Sequence, residues 1–287
     1  MTSQVSSLAS SEHTATSNWK LVLAYDGGAF SGWQVQPGRL TVQGSLAHAL
    51  ERVTGEQVLP QGSGRTDAGV HALAQVTSFR LRAPIPAASL LRALNRALPA
   101  SVRVLSAETA PDHFHARHSA LSKWYEYRLW RGELCPPWTA PYVYACNWPL
   151  DLQAMQLAAS MIVGLHDFRS FAASDPDLAG RTALKDQQSP QASPSCVRRV
   201  KTSLWEQAGP DLLRYQVQGS GFLHHMVRNL VGTLLAIGRG QLAPSDVPRI
   251  LAARNRSAAG PTAPAQGLFL ASVEYAAEPA ASPQVLP

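Results

Sequence analysis

Apolar and polar positions along the chain change period several times, and each change marks an element. Lys20–Tyr25 is a short apolar run broken by Asp26-Gly27-Gly28, a strand entering a turn. Val42, Leu46, Leu50 and Val53 recur at helical spacing, with Thr41 placed to cap the helix and Gly55 to close it. A short strand over Gln57–Pro60 and a longer one over Ala74–Leu81 flank a glycine-rich loop. Leu90, Leu91, Leu94 and Leu98 mark a second helix stopped at Pro99, and Val102–Leu105 a further strand. The order is β-α-β-β-α-β.

The second half repeats it. Lys123–Trp130 reads as a strand, and a helix capped by Asp151 carries Leu152, Met155, Ala159 and Ile162 and stops at Gly164. Strands follow at Val197–Trp205 and Leu212–Val217, then a long apolar helix over Gly221–Ile237, a shorter helix after Ser245 and a last strand over Gly267–Tyr275. The expected fold is α+β. It has two ferredoxin-like (RRM-like) halves, their antiparallel sheets side by side around a central catalytic cleft. RNA-binding modules of this topology use the sheet face. The expected division is a disordered tail at 1–17, an N-terminal domain at 18–110, a C-terminal domain at 111–276 and a disordered tail at 277–287. Residues 174–195 lack periodicity and read as a mobile insertion.

Composition narrows the class. The 287-residue chain is 45% hydrophobic and 15% charged, which gives it a sizeable core and excludes a disordered polyelectrolyte. Its net charge is +6, and only four of its 25 basic residues are lysine. Arginine's planar fork suits phosphates and stacks on bases, so an anionic partner is expected, nucleic acid first. A GC-rich genome accounts for the same arginine bias equally well. Cys135, Cys146 and Cys196 show no Cys-x-x-Cys spacing, which argues against a disulfide framework or zinc ribbon and for a reducing cytoplasm. No apolar run reaches transmembrane length, and residues 1–17 lack the apolar stretch of a secretory signal.

Candidate chemistry concentrates in four blocks. Gly64-Arg-Thr-Asp-Ala-Gly-Val-His-Ala-Leu73 sets Asp67 beside Arg65 in a loop framed by Gly62, Gly64 and Gly69, where glycine permits positive-φ turns and close approach of another molecule. A phosphate-cradling loop is the alternative, but the Walker lysine is absent and the loop runs into a strand. Strand alternation in Lys123-Trp-Tyr-Glu-Tyr-Arg128 puts Tyr125 and Tyr127 on one face, where the pattern by itself favours core aromatics of a half-buried sheet. Gly219–Asn229 carries Arg228 in an apolar helix, either a snorkelling surface cation or one with a specific anionic partner. Within it His224 and His225 are neighbours, expected on different sides of a helix and a poor metal pair. His113 and His115 have no third ligand in suitable spacing, so no metal site is expected. The fourth block is Phe114-His115-Ala116-Arg117.

Together with Asp26-Gly27, Gly32-Trp33-Gln34 and Gly267-Leu268-Phe269-Leu270, these blocks resemble the tRNA pseudouridine synthase A family over about residues 18–276. The resemblance departs at 174–195, which is longer than the usual connection. It implies that Asp67 is the essential catalytic carboxylate, that Arg228 pairs with it across the cleft and that Tyr125 lies against the target base. It further implies that Arg117 belongs to the RNA path. Arg65 would fill the space vacated by a flipped nucleotide or hold that nucleotide. The implied reaction breaks the uridine N1–C1′ bond and joins C5 to C1′, which demands no cofactor. The implied substrate is the tRNA anticodon stem-loop at positions 38–40, shared by the subunits of a homodimer. Two other classes remain: an RNA-binding module without chemistry, and a nucleotide-dependent enzyme using the glycine loop. Asp67, Tyr125 and Arg228 together argue against the first, and the missing P-loop lysine against the second.

Overall fold

A computed structural model describes residues 16–173 and 195–276; the tail at 277–287, nearly all of the one at 1–17 and the expected insertion up to 194 lie outside the described residues. The strands are β1 (Ser17–Tyr25), β2 (Gln61–Gly62), β3 (His71–Leu81), β4 (Val102–Thr109), β5 (Ala120–Trp130), β6 (Tyr144–Ala145), β7 (Gly164–Asp167), β8 (Val197–Gly209), β9 (Leu212–Gly219) and β10 (Leu268–Tyr275). The helices are α1 (Val42–Thr54), α2 (Ala87–Ala97), α3 (Leu152–Ser160), α4 (Met226–Gly238) and α5 (Asp246–Ala253).

Local signals set most boundaries. Thr41 Oγ1 accepts from the Gly44 N–H at the start of α1, and Gly55 ends it at φ 74°, a left-handed conformation that glycine adopts without strain. Asp151 caps α3 through the Ala154 N–H. The apolar stripe of α1, Val42, Leu46, Ala49 and Leu50, is buried as its spacing requires. α4 is apolar nearly all round and correspondingly buried nearly all round.

All ten strands belong to one sheet, ordered β4-β1-β3-β10-β5-β9-β8-β7, with β2 against β3 and β6 against β5. This corrects the expectation of separate side-by-side sheets, while the α+β class stands. The join is a short parallel pairing of β10 with β3, Phe269 opposite His71 and Leu270 opposite Ala72. It is possible because β2 covers β3 only at Thr77 and Ser78, leaving the other end of that edge open. The strand expected over Gln57–Pro60 is absent and only the two residues after it pair; Pro60 has no N–H to give a ladder. β1 starts at Ser17, inside the segment read as a tail. α4 starts five residues later than its apolar run, because Gly221–His225 forms a loop that brings Phe222 edge-on to Tyr125.

Gly232 marks the tightest contact of α4. A Cβ there would overlap the Pro261 carbonyl, in the segment whose Ala263 carbonyl accepts from Arg228. Gly232→Ala is expected to lower stability by about 3 kcal/mol through overpacking, read as a fall in the urea midpoint at unchanged slope.

Candidate active site

The Asp67 loop is held from beneath by a buried polar network. Gln75, with no exposed surface, donates to the Gly64 carbonyl at 2.8 Å and accepts from the Ser63 hydroxyl at 2.6 Å. Tyr25 and Thr66 share a hydroxyl hydrogen bond of 2.8 Å, and the Trp33 N–H donates to the Thr66 carbonyl at 3.0 Å. Such a network, once fully satisfied, fixes one loop geometry. Of the three framing glycines, only Gly69 has a positive φ, 78°. Gly62 is required by packing instead: a Cβ would stand 2.7 Å from the Trp33 indole. At Gly64 the neighbour is the Lys123 ammonium, 3.1 Å from such a Cβ.

His71 fastens the far end of the loop. Its Nδ1 accepts from the Gly27 N–H at 3.0 Å, which assigns the ring proton to Nε2, 3.2 Å from the Pro141 carbonyl. Burial pushes its pKa down, against the nearby Asp26. The 3.2 Å approach of Asp26 Oδ1 to Nδ1 is therefore not an ion pair at neutral pH. The ring stacks on Phe269 at 4.7 Å, so the histidine of the motif is structural and locks the loop to β10.

Asp67 projects from this frame onto the first turn of α4. Arg228 Nη1 donates to Asp67 Oδ2 at 3.0 Å across 161 residues of sequence, while its Nε donates to the Ala263 carbonyl at 2.8 Å. Both side chains are mostly buried, 16% and 20% exposed, so the pair is only partly screened by water. Of the two readings of Arg228, the paired cation holds and the snorkelling one does not.

The histidines beside it overturn one expectation. His225 lies at φ 58° just before α4, a left-handed conformation rare for non-glycine residues. That kink turns both imidazoles the same way, ring centroids 4.0 Å apart, with His224 Nε2 3.6 Å from Asp67 Oδ1 and His225 Nε2 3.3 Å from Oδ2. Sequence spacing had them diverge because it assumed both were helical. Burial lowers the pKa of His225, opposed by Asp67. The ligand atoms of Asp67, His224 and His225 lie within 4.8 Å of one another and could hold a metal ion, contrary to the expectation of no such cluster. The Arg228 charge on the same carboxylate oxygen opposes a cation there.

Tyr125 and Tyr127 share one face of β5, as alternation predicts. Tyr127 donates to the Pro264 carbonyl at 3.0 Å. Tyr125 packs edge-on against Phe222, ring centroids 5.1 Å apart. Burial raises the Tyr125 pKa far above the ordinary phenol value, and Tyr25 and Asp67 add to the effect. Its hydroxyl thus stays protonated at neutral pH, a donor rather than a base. Asp67 meets this face of β5, the one approached by the α4 loop, and not the face of Trp124 and Glu126. The open sheet face expected to meet RNA does not carry the carboxylate. Tyr125→Phe, which keeps the ring, is expected to lower turnover at least about tenfold with near-normal RNA affinity, measured by single-turnover assay and filter binding.

Arg65 and Arg117 are both exposed, Arg65 on the Asp67 loop and Arg117 in the turn before β5. Neither joins the Asp67–Arg228 contact, but Arg117 adds to the burial that lowers the pKa of Lys123. Sequence reasoning missed Lys123 and the reach of His224 and His225. The signal for Lys123 was available: a charge on the Tyr125–Tyr127 face of a buried strand.

A family model described as tRNA pseudouridine synthase matches residues 21–119 and 158–276, which include Arg65, Asp67, Arg117 and Arg228. The chain belongs to the tRNA pseudouridine synthase family. Proteins named tRNA pseudouridine synthase A from Solibacter usitatus and Moorella thermoacetica are each 48% identical to it, over 89% of this chain and 98% of theirs. A protein of that name from Bordetella petrii is 44% identical over 90% of this chain and 91% of its own. The family makes the protein an isomerase acting in RNA modification. Tyr125 and Lys123 fall in the stretch between the two matched segments of the pseudouridine synthase model. No helix of the described residues is long and apolar enough to cross a membrane.

Proposed function

We infer that this protein converts uridine to pseudouridine at positions 38–40 of the tRNA anticodon stem-loop, with Asp67 as its catalytic carboxylate. The observation that carries the reading is the Asp67–Arg228 contact, 3.0 Å, made by residues from two distant segments at the junction of β3, β10 and α4. The Arg228 guanidinium hydrogen-bonds the carboxylate and holds it in place, and that carboxylate is the group able to act as nucleophile or base. Tyr125 lies against the base and offers a protonated hydroxyl to it. The target uridine must leave its stack, at a cost of a few kcal/mol. Arg65, at the mouth of the loop, holds the flipped nucleotide or fills its place, and Arg117 continues the basic path. N1–C1′ breaks, the uracil turns, C5 bonds C1′ and gives up its hydrogen as a proton, and the released N1 takes up a proton; atoms balance without a co-reactant.

The same reading takes residues 18–110 and 111–276 as two ferredoxin-like units. The strand orders β4-β1-β3-β2 and β10-β5-β9-β8 support it. It also takes the working form as a cytoplasmic homodimer sharing one tRNA. The test is site mapping: unmodified tRNA incubated with the protein, derivatised with carbodiimide and read by primer extension. Stops at positions 38–40 are expected. Stops elsewhere, or none, would refute the assignment.

A further inference from the structure

Lys123 stands on the Tyr125 face of β5, two residues and about 7 Å along the strand, and the chemistry above makes no use of it. Its Nζ donates to the Ser63 carbonyl at 2.6 Å, at the root of the Asp67 loop. An ammonium has three protons to donate, and this bond takes one. Among the described residues no carboxylate pairs with it. The charges that reach it are both positive: Arg117 from the turn before β5, and Arg198 at the start of β8. Its backbone neighbours, Gly219 on β9 and Val273 on β10, carry no charge. Glu274 is turned to the other face, where it accepts from Ser122 and Trp124. The Arg198 side chain passes over Gly221, 3.7 Å from where a Cβ would stand, so the Gly219–Gly221 turn brings the second cation toward the same corner.

Three cations converging with no acid beside them among the described residues, one of them largely desolvated, is unfavourable unless an anion joins them. Gly64 and Gly221 present no side chains there, which leaves an approach for one. We propose that Lys123, with Arg117 and Arg198, forms a subsite for a backbone phosphodiester of the RNA, one nucleotide's reach from the base held at Tyr125. This rests on the reading that RNA is the substrate. The subsite is part of the site, not a general basic surface, because Lys123 also ties down the Asp67 loop. A phosphate there engages the ammonium whose other bond sets the position of Ser63.

Burial, with Arg117 and Arg198, lowers the Lys123 pKa to about 8. An anion binds the protonated form, so affinity falls as pH rises past about 8. The test measures binding of an anticodon stem-loop RNA to wild type, Lys123→Met and Lys123→Arg, against salt and from pH 7 to 9.5, with folding checked by circular dichroism. The expected result for Lys123→Met is weaker binding, a log–log salt slope shallower by about 0.7–0.9, and loss of the pH dependence. Lys123→Arg keeps the salt slope and binds evenly to higher pH. An RNA with a neutral methylphosphonate beside the target uridine weakens wild type but adds little to Lys123→Met, since both remove the same contact. An unchanged salt slope with a fully additive methylphosphonate effect would leave Lys123 as a loop tether only and overturn the proposal. Pseudouridine formation is scored separately: a wild type that binds as described but leaves uridine intact defeats the isomerase reading while the subsite stands.

Discussion

Asp67→Asn is expected to fold, to bind tRNA and to form pseudouridine at least about 10⁴-fold more slowly than wild type, the scale seen when a catalytic group is removed. The amide matches the carboxylate in size but is a poor nucleophile and a poor base. The loop does not depend on the carboxylate for its shape. Gln75, Ser63, Thr66 and Tyr25 hold it from below, and His71 holds its far end. Arg228 loses an anion but keeps the Ala263 carbonyl. Because both partners retain a sixth to a fifth of their exposure, the stability loss is smaller than for a fully buried pair, about 1–2 kcal/mol. RNA affinity is expected to hold or rise, since a negative charge has left the neighbourhood of the phosphates. Urea unfolding, filter binding and single-turnover kinetics read the three quantities separately.

Arg228→Met is expected to cost about 10²–10³ in turnover, the range for loss of one electrostatic partner at a reacting group. It removes the cation from Asp67 Oδ2 and leaves the Ala263 carbonyl without its donor. That second loss adds about 1–3 kcal/mol of instability, because the acceptor is left unsatisfied. His225 remains 3.3 Å from the carboxylate and takes over part of its neutralisation, more so as pH falls and its imidazole protonates against the burial that lowers its pKa. The variant should therefore recover activity toward acid pH relative to wild type. Arg228→Lys should be intermediate, as one ammonium cannot span both acceptors in the guanidinium's fixed fork. A flat ratio of variant to wild type across pH 5.5–8 would show that His225 does not compensate.

Much of this was legible in the chain, and the exceptions share a cause. Caps and stripes are local, so Thr41, Gly55, Asp151 and the α1 stripe could be read directly. The Asp67–Arg228 pairing was accessible only through resemblance, because nothing in local spacing links residues 161 apart. The union of the sheets was hidden for the same reason: a two-residue parallel pairing leaves no mark on the hydrophobic pattern. The divergence expected of His224 and His225 failed on one backbone angle. A helical period run through 221–225 cannot anticipate a left-handed residue at 225. Lys123 is legible in the sequence as a charge on the Tyr125–Tyr127 face, but its setting, with two arginines nearby and no carboxylate paired to it among the described residues, appears only in three dimensions.

The most direct measurement is tritium release from tRNA labelled at uracil C5, since C5 must lose its hydrogen when it bonds C1′. With wild type, the account predicts release approaching the number of modified uridines per tRNA, with no added metal, nucleotide or redox partner. With Asp67→Asn, under conditions where it binds the same tRNA, it predicts none above background over the wild-type time course. Release by Asp67→Asn at a rate near wild type would contradict the central claim that Asp67 carries the chemistry.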